Sequence, residues 1–187
     1  LEALEKGEFE LLYQPIVEAK DRSLVCYEAL LRWNHPTGCH VLPSHFLPAA
    51  ERTGAIVEID RWVLETACRQ ILEADSSVGV AVNVSPVDFY RSDVSKSVEA
   101  ALEKTGLEPG RLIIELTENV PLAHAQFIFD QIKRIQQMGV GFDLDDFGSQ
   151  YSSLSRLHSL PVRGIKLDRL LIEPITISRR ARAVVSG

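Results

Sequence analysis

What this chain of 187 residues has little of narrows its class before any motif is read. Cysteine is scarce: Cys26, Cys39 and Cys68 are odd in number, widely spaced and form no CxxC pair. That excludes a disulfide scaffold and a zinc knuckle, and leaves ordinary thiols of a reducing compartment. No apolar run approaches the ~18 residues a membrane span needs, and no signal-peptide pattern opens the chain. A soluble, cytoplasmic domain without membrane contact is expected, although a longer protein carrying it could be tethered. Positive charge is also short, with 20 Lys and Arg against 26 Asp and Glu, a net charge of −6 and a pI near 5.4. DNA and RNA are therefore not expected partners, whereas a small phosphorylated ligand remains open if metals or local cations offset the carboxylates. Repeats and low-complexity segments are absent. His35, His40, His45, His124 and His158 show no ligand spacing.

What is there is a chain 45% hydrophobic, long enough for one domain with a real core. Two β-prone runs, 11–17 and 24–33, flank a polar turn at 18–22 and are close enough to pair antiparallel. Next come helices at 43–53, with Ser44 as N-cap and Gly54 as stop, and at 60–74. Strands at 78–84, 112–116, 140–145 and 162–167 then alternate with helices near 94–105, 122–138 and 151–157. After an initial hairpin, this βαβ order implies a parallel sheet. The expected fold is α/β, a TIM-like (β/α)8 barrel with an antiparallel first strand pair and about six of eight strands present; a closed barrel takes ~250 residues. Residues 1–10 read as a lead-in helix continuing an upstream region, and the chain as one domain, 1–187, incomplete at its C-terminal end.

One polar side chain recurs near the end of successive strands: Glu28, Asn83, Glu115, the pair Asp145 and Asp146, and Lys166. Strand ends meet at one mouth of a barrel. Adjacent carboxylates there repel unless a cation lies between them, and oxygen donors suit Mg²⁺ or Mn²⁺. Each residue alone has a plainer reading: Asn83 as a turn residue, Lys166 as a side chain reaching for solvent. The aspartate pair is the hardest to explain that way.

Six motifs now stand in order: Tyr13-Gln14-Pro15-Ile16-Val17, Tyr27-Glu28-Ala29-Leu30-Leu31-Arg32-Trp33, Val82-Asn83-Val84-Ser85, Glu115-Leu116-Thr117-Glu118, the run from Asp145 through Phe147 and Gly148 to Ser153, and Lys166-Leu167-Asp168-Arg169. Together they resemble the successive signatures of the EAL domain, a family that hydrolyses the bacterial second messenger cyclic di-GMP to a linear dinucleotide. The resemblance spans essentially the whole chain. It implies Glu28, Asn83, Glu115 and Asp145 as metal ligands and Asp146 at a second metal. It also implies Lys166 beside the attacking water and Glu118 steadying the loop after Asp146. Gln14, Arg32 and Asp168 are implied as substrate contacts, Arg32 toward a phosphate and Asp168 near a guanine. A homodimer and an upstream sensory or GGDEF-type neighbour follow from the same likeness. Two features depart from it. Gln150 stands where the family usually has Gly, at a cost of roughly 1 kcal/mol if positive φ is required there. The family's seventh-strand glutamate and its closing eighth strand are not among these residues. A non-catalytic cyclic di-GMP receptor, and a hydrolase of another phosphoester, are the competing readings.

Overall fold

The computed structural model describes residues 1–74, 77–117, 125–148 and 162–173. Strand β1 (Phe9–Val17) and strand β2 (Leu24–Asn34) form the expected antiparallel hairpin, paired from Phe9 opposite Trp33 to Val17 opposite Leu24. The polar turn closes it: the Glu18 amide donates to the Ser23 carbonyl, and Asp21 accepts from the Ser23 amide and hydroxyl. A two-residue strand β3 (His40–Val41) pairs with the end of β2. Parallel strands β4 (Gly79–Asn83), β5 (Leu112–Thr117), β6 (Gly141–Phe147) and β7 (Gly164–Leu167) follow, so that the sheet runs β1-β2-β4-β5-β6-β7.

Helices α2 (Pro43–Thr53), α3 (Ile56–Ala74), α4 (Pro86–Arg91), α5 (Val94–Thr105) and α6 (Ala125–Gln137) lie between the strands, with short helices α1 (Glu2–Glu5) and α7 (Arg169–Ile172) toward the two ends. The lead-in helix expected over 1–10 is cut to α1. Gly7, at φ +66°, breaks it, and Phe9 joins the hairpin, where it packs on Trp33, Phe46 and Trp62. Helix α2 has the expected bounds, but its N-cap is Leu42 rather than Ser44, because Pro43 fills the first helical position and needs no amide partner. Helix α3 starts at Ile56, four residues before the expected start, because Ile56 and Ile59 join the core.

Strand side chains alternate between two environments. Val80, Val82, Val84, Leu112, Ile114, Leu116 and Phe142 pack outward against Val63, Leu64, Val98, Ile128 and Ile132 of the helices. Each fully buried side chain of this kind stabilises the fold by about 1.5–3 kcal/mol. The opposite, concave face begins with a small cluster of Ile16, Cys26, Ala81 and Ile113. Two residues further along the strands, that same face carries Glu28, Asn83 and Glu115. The sheet curls enough for Lys166 on β7 to reach Glu28 on β2, with β4, β5 and β6 between them. Among the described residues no helix is long and apolar enough to cross a membrane. Glu118, Gln150, His124, His158 and the helical stretch at 151–157 lie outside the described residues.

Candidate metal centre

Glu28 from β2, Glu115 from β5 and Asp145 from β6 each offer a carboxylate oxygen, and the three oxygens lie within 4.8 Å of one another. Period-two alternation explains the meeting: all three sit on the concave face, Glu115 and Asp145 in the C-terminal half of their strands and Glu28 near the middle of the longer β2. The Lys166 ammonium donates to Glu28 Oε2 at 2.8 Å and to Glu115 Oε2 at 2.8 Å, and stands 3.6 Å from Asp145 Oδ1. The Asn83 amide nitrogen donates to Glu28 Oε1 at 2.9 Å. Glu115 is the deepest member, 1% exposed, and its second oxygen, Oε1, is buried without a hydrogen-bond partner among the described residues.

The electrostatics follow from this crowding. Burial pushes the Glu115 carboxyl up to about 7, and the neighbouring charges of Glu28 and Asp145 add to the rise while Lys166 opposes it. Burial works against the Lys166 charge, yet its hydrogen bonds to Glu115 and Glu28 hold it above the ordinary lysine range. With all groups ionised, three carboxylates against one ammonium leave two negative charges uncompensated among the described residues. An all-oxygen donor set, surplus negative charge and one orphaned buried carboxylate oxygen fit a hard divalent cation.

Asp146 is placed differently from its neighbour. Its backbone adopts φ +54°, a left-handed conformation that Asp tolerates better than most residues. The β6–β7 register breaks there: Leu144 pairs with Ile165, but Phe147 pairs with Leu167. The chain therefore turns at Asp146 itself, ahead of Gly148. Asp146 stands outside the trio of converging carboxylates but still feels them. Burial raises its carboxyl, and Asp145, Asp168 and Glu28 add to this.

The residues expected to meet substrate lie around the trio. Gln14 lies directly across the hairpin from Glu28. Arg32 sits four pairs further toward the mouth, opposite Glu10, and donates to the Leu31 carbonyl at 2.8 Å. Asp168 caps α7 by accepting from the Leu170 amide at 2.6 Å. A cleft lined by Arg32, Leu47, Glu51, Asp60, Asn83 and Thr117 opens beside them.

Two arrangements escaped the sequence reading. In one, Ser85 donates its amide to Asp60 Oδ2 at 2.9 Å and its hydroxyl to Glu51 Oε1 at 2.8 Å, and caps α4 through the Val87 amide. This network braces the turn that follows Asn83. The Ser85-Pro86 pair was a legible cap signal, as was an acid, Asp60, on the buried face of α3. In the other, Asp143, opposite Glu115 in the β5–β6 register and two residues before Asp145, is paired bidentately with Arg163 at 3.2 Å and 2.8 Å.

Fold and site together define a barrel-type α/β domain with an acidic, metal-type centre at the C-terminal ends of its strands. A model of the EAL domain family matches residues 1–187, and the chain belongs to that family. It is 41% identical over 190 residues to the bifunctional diguanylate cyclase/cyclic di-GMP phosphodiesterase MucR of Pseudomonas aeruginosa, covering 100% of this chain and 28% of that protein. It is 38% identical over 190 residues to the oxygen sensor protein DosP of Escherichia coli, covering 100% of this chain and 24% of that one. The chain thus spans about a quarter of the length of these curated relatives. Among solved structures, the PaMucR phosphodiesterase in complex with c-di-GMP superposes with a TM-score of 0.89 at 41% identity, over 99% of this chain and 76% of that one.

Proposed function

We propose that this domain hydrolyses cyclic di-GMP to linear pGpG with the aid of Mg²⁺ or Mn²⁺, two ions serving the working site. The observation that carries the reading is the convergence of Glu28, Glu115 and Asp145 around Lys166. Kinship to a phosphodiesterase, and likeness to a structure that holds c-di-GMP, supply the substrate. When bound, the metal supplies Lewis-acid activation of water and neutralises phosphoryl charge. Glu28, Asn83, Glu115 and Asp145 would hold one ion, with Asp146 toward the other.

The chain's own residues do the rest. Lys166 supplies positive charge where charge develops on the phosphoryl oxygens, and its N–H groups orient the water. Arg32 presents a planar fork of donors suited to a phosphate. Gln14 offers amide groups across from Glu28, and Asp168 has a carboxylate oxygen beyond the one used for capping, suited to guanine N–H groups. The 187 residues act as one cytoplasmic domain of a longer protein, with an upstream sensory or GGDEF-type unit and a homodimeric state as further parts of the proposal.

The test is chromatography of cyclic di-GMP incubated with the full-length protein in Mg²⁺, in Mn²⁺ and in excess chelator. Formation of pGpG with either metal and none in chelator is expected. Tight binding without turnover would replace the enzyme by a receptor. Turnover of another phosphoester but not of cyclic di-GMP would keep the chemistry and discard the substrate.

A further inference from the structure

We propose that Lys166 is a built-in counter-cation, whose ammonium competes with the divalent metal for the oxygens of Glu28, Glu115 and Asp145, so that its withdrawal sets the metal affinity of the centre. The inference rests on the metal reading above and adds a control of loading to it.

The residues whose oxygens converge within 4.8 Å are the same ones that Lys166 addresses at 2.8, 2.8 and 3.6 Å. An ammonium carries three donors and no acceptor, so it can serve three carboxylates much as a small cation does. Hard divalent cations hold carboxylate oxygens at about 2.0–2.6 Å. A metal ion and an ammonium cannot both sit at the focus of one set of oxygens, and at such separations like charges repel strongly.

The centre nevertheless leaves a way in. Lys166 uses Oε2 of both glutamates, while Glu115 Oε1 is buried without a partner among the described residues and Glu28 Oε1 takes only the Asn83 amide. A cation arriving on the Oε1 side meets available oxygen first and then displaces Lys166 from Oε2. The lysine comes from β7, the last strand in the described sheet order, and reaches across the concave face to β2. It can retract along its flexible stem without disturbing the hydrogen-bond ladder that holds its strand. While it stays in place it also suppresses repulsion among the carboxylates, so the centre keeps its shape before loading.

The test uses the full-length protein stripped of metal. Free Mn²⁺ is followed by electron paramagnetic resonance during titration of wild type, Lys166→Met and Lys166→Arg. Lys166→Met is expected to bind Mn²⁺ at least about tenfold more tightly than wild type, although it loses turnover. Lys166→Arg, which keeps the charge, is expected to stay well short of that gain. The metal-free Lys166→Met protein should also melt below wild type, with the gap closing or reversing at saturating Mn²⁺. Lys166→Met binding no tighter than wild type, or Lys166→Arg binding as tightly as Lys166→Met, overturns the proposal. If Lys166→Met folds only when loaded, its Mn²⁺ release into excess chelator replaces the titration: slower release than wild type supports competition, and equal or faster release refutes it. A wild type that binds no more Mn²⁺ than a Glu28→Ala/Asp145→Ala double variant refutes the metal reading itself, which separates that failure from this one.

Discussion

The concave face carries two clusters of opposite charges, one residue layer apart, and they are balanced in different ways. In the lower cluster a single carboxylate, Asp143, meets a single guanidinium, Arg163, in a bidentate pair with both oxygens engaged. In the upper cluster three carboxylates share one ammonium, and a buried oxygen of Glu115 is left over. Neighbouring strands, similar residue types and the same face thus yield one arrangement that is electrically closed and one that is not. A closed pair has nothing further to bind, so its role is to seat β6 against the start of β7. An open cluster has a use for one more cation. Charge balance, more than the mere presence of acids, tells a structural cluster from a chemical one here.

The comparison can be broken in three ways. The largest effect is expected at the mouth: Glu28→Ala should lower turnover of cyclic di-GMP by about 10²–10³-fold, with little loss of stability, as read by steady-state kinetics and urea unfolding on the same samples. Wild-type turnover in that variant would remove the upper cluster from the chemistry. Next comes the lower pair. Arg163→Met leaves Asp143 nearly buried and uncompensated, which should cost about 1–3 kcal/mol of folding stability. Because Arg163 is half-exposed, the loss should fall toward the lower end of that range. Adding Asp143→Leu should recover most of it, and turnover should change far less than with Glu28→Ala.

The smallest effect is a pH dependence confined to the mouth. Burial holds the Glu115 carboxyl at about 7, above the ordinary glutamate value of 4.5, so the folded protein retains a proton that the unfolded chain has already released. Without metal, that contribution to stability is fully present below the unfolded value and is lost as pH rises toward 7. Metal needs the carboxylate, so Mn²⁺ affinity should move the other way, gaining up to about tenfold per pH unit below 7 and levelling off above it. Titration calorimetry in two buffers of different ionisation enthalpy would count the proton released. Glu115→Gln should abolish the dependence, and a flat profile in wild type would remove Glu115 from the binding set.

Much of this was legible in the sequence because it is written in short-range period. The hairpin turn at 18–22, the alternating strands and Gly54 as a helix stop are local signals. Glu28, Glu115, Asp145 and Lys166 stood out because charge in apolar strands is conspicuous. Their distances from one another were not legible, since these depend on how tightly the sheet curls. Asp143 was passed over although it shares the parity of Asp145, because its partner lies 20 residues away in a turn with no motif of its own. The left-handed backbone at Asp146 was hidden for a related reason: Gly148 offered the more obvious pivot, and only the β6–β7 register shows where the bulge falls. Strand β3 and helix α4 are too short to produce a periodic signal.

Gly164 ties the two clusters together mechanically. A Cβ built at this position would stand 3.1 Å from Asp143 Oδ1, so β7 lies against the lower pair with no room to spare. Lys166 follows two residues later on the same short strand. A side chain at position 164 would press the Asp143 carboxylate by a few tenths of an ångström, and whatever strain β7 took up would pass to the lysine's anchor. The floor of the concave face thereby sets the height from which the mouth is reached.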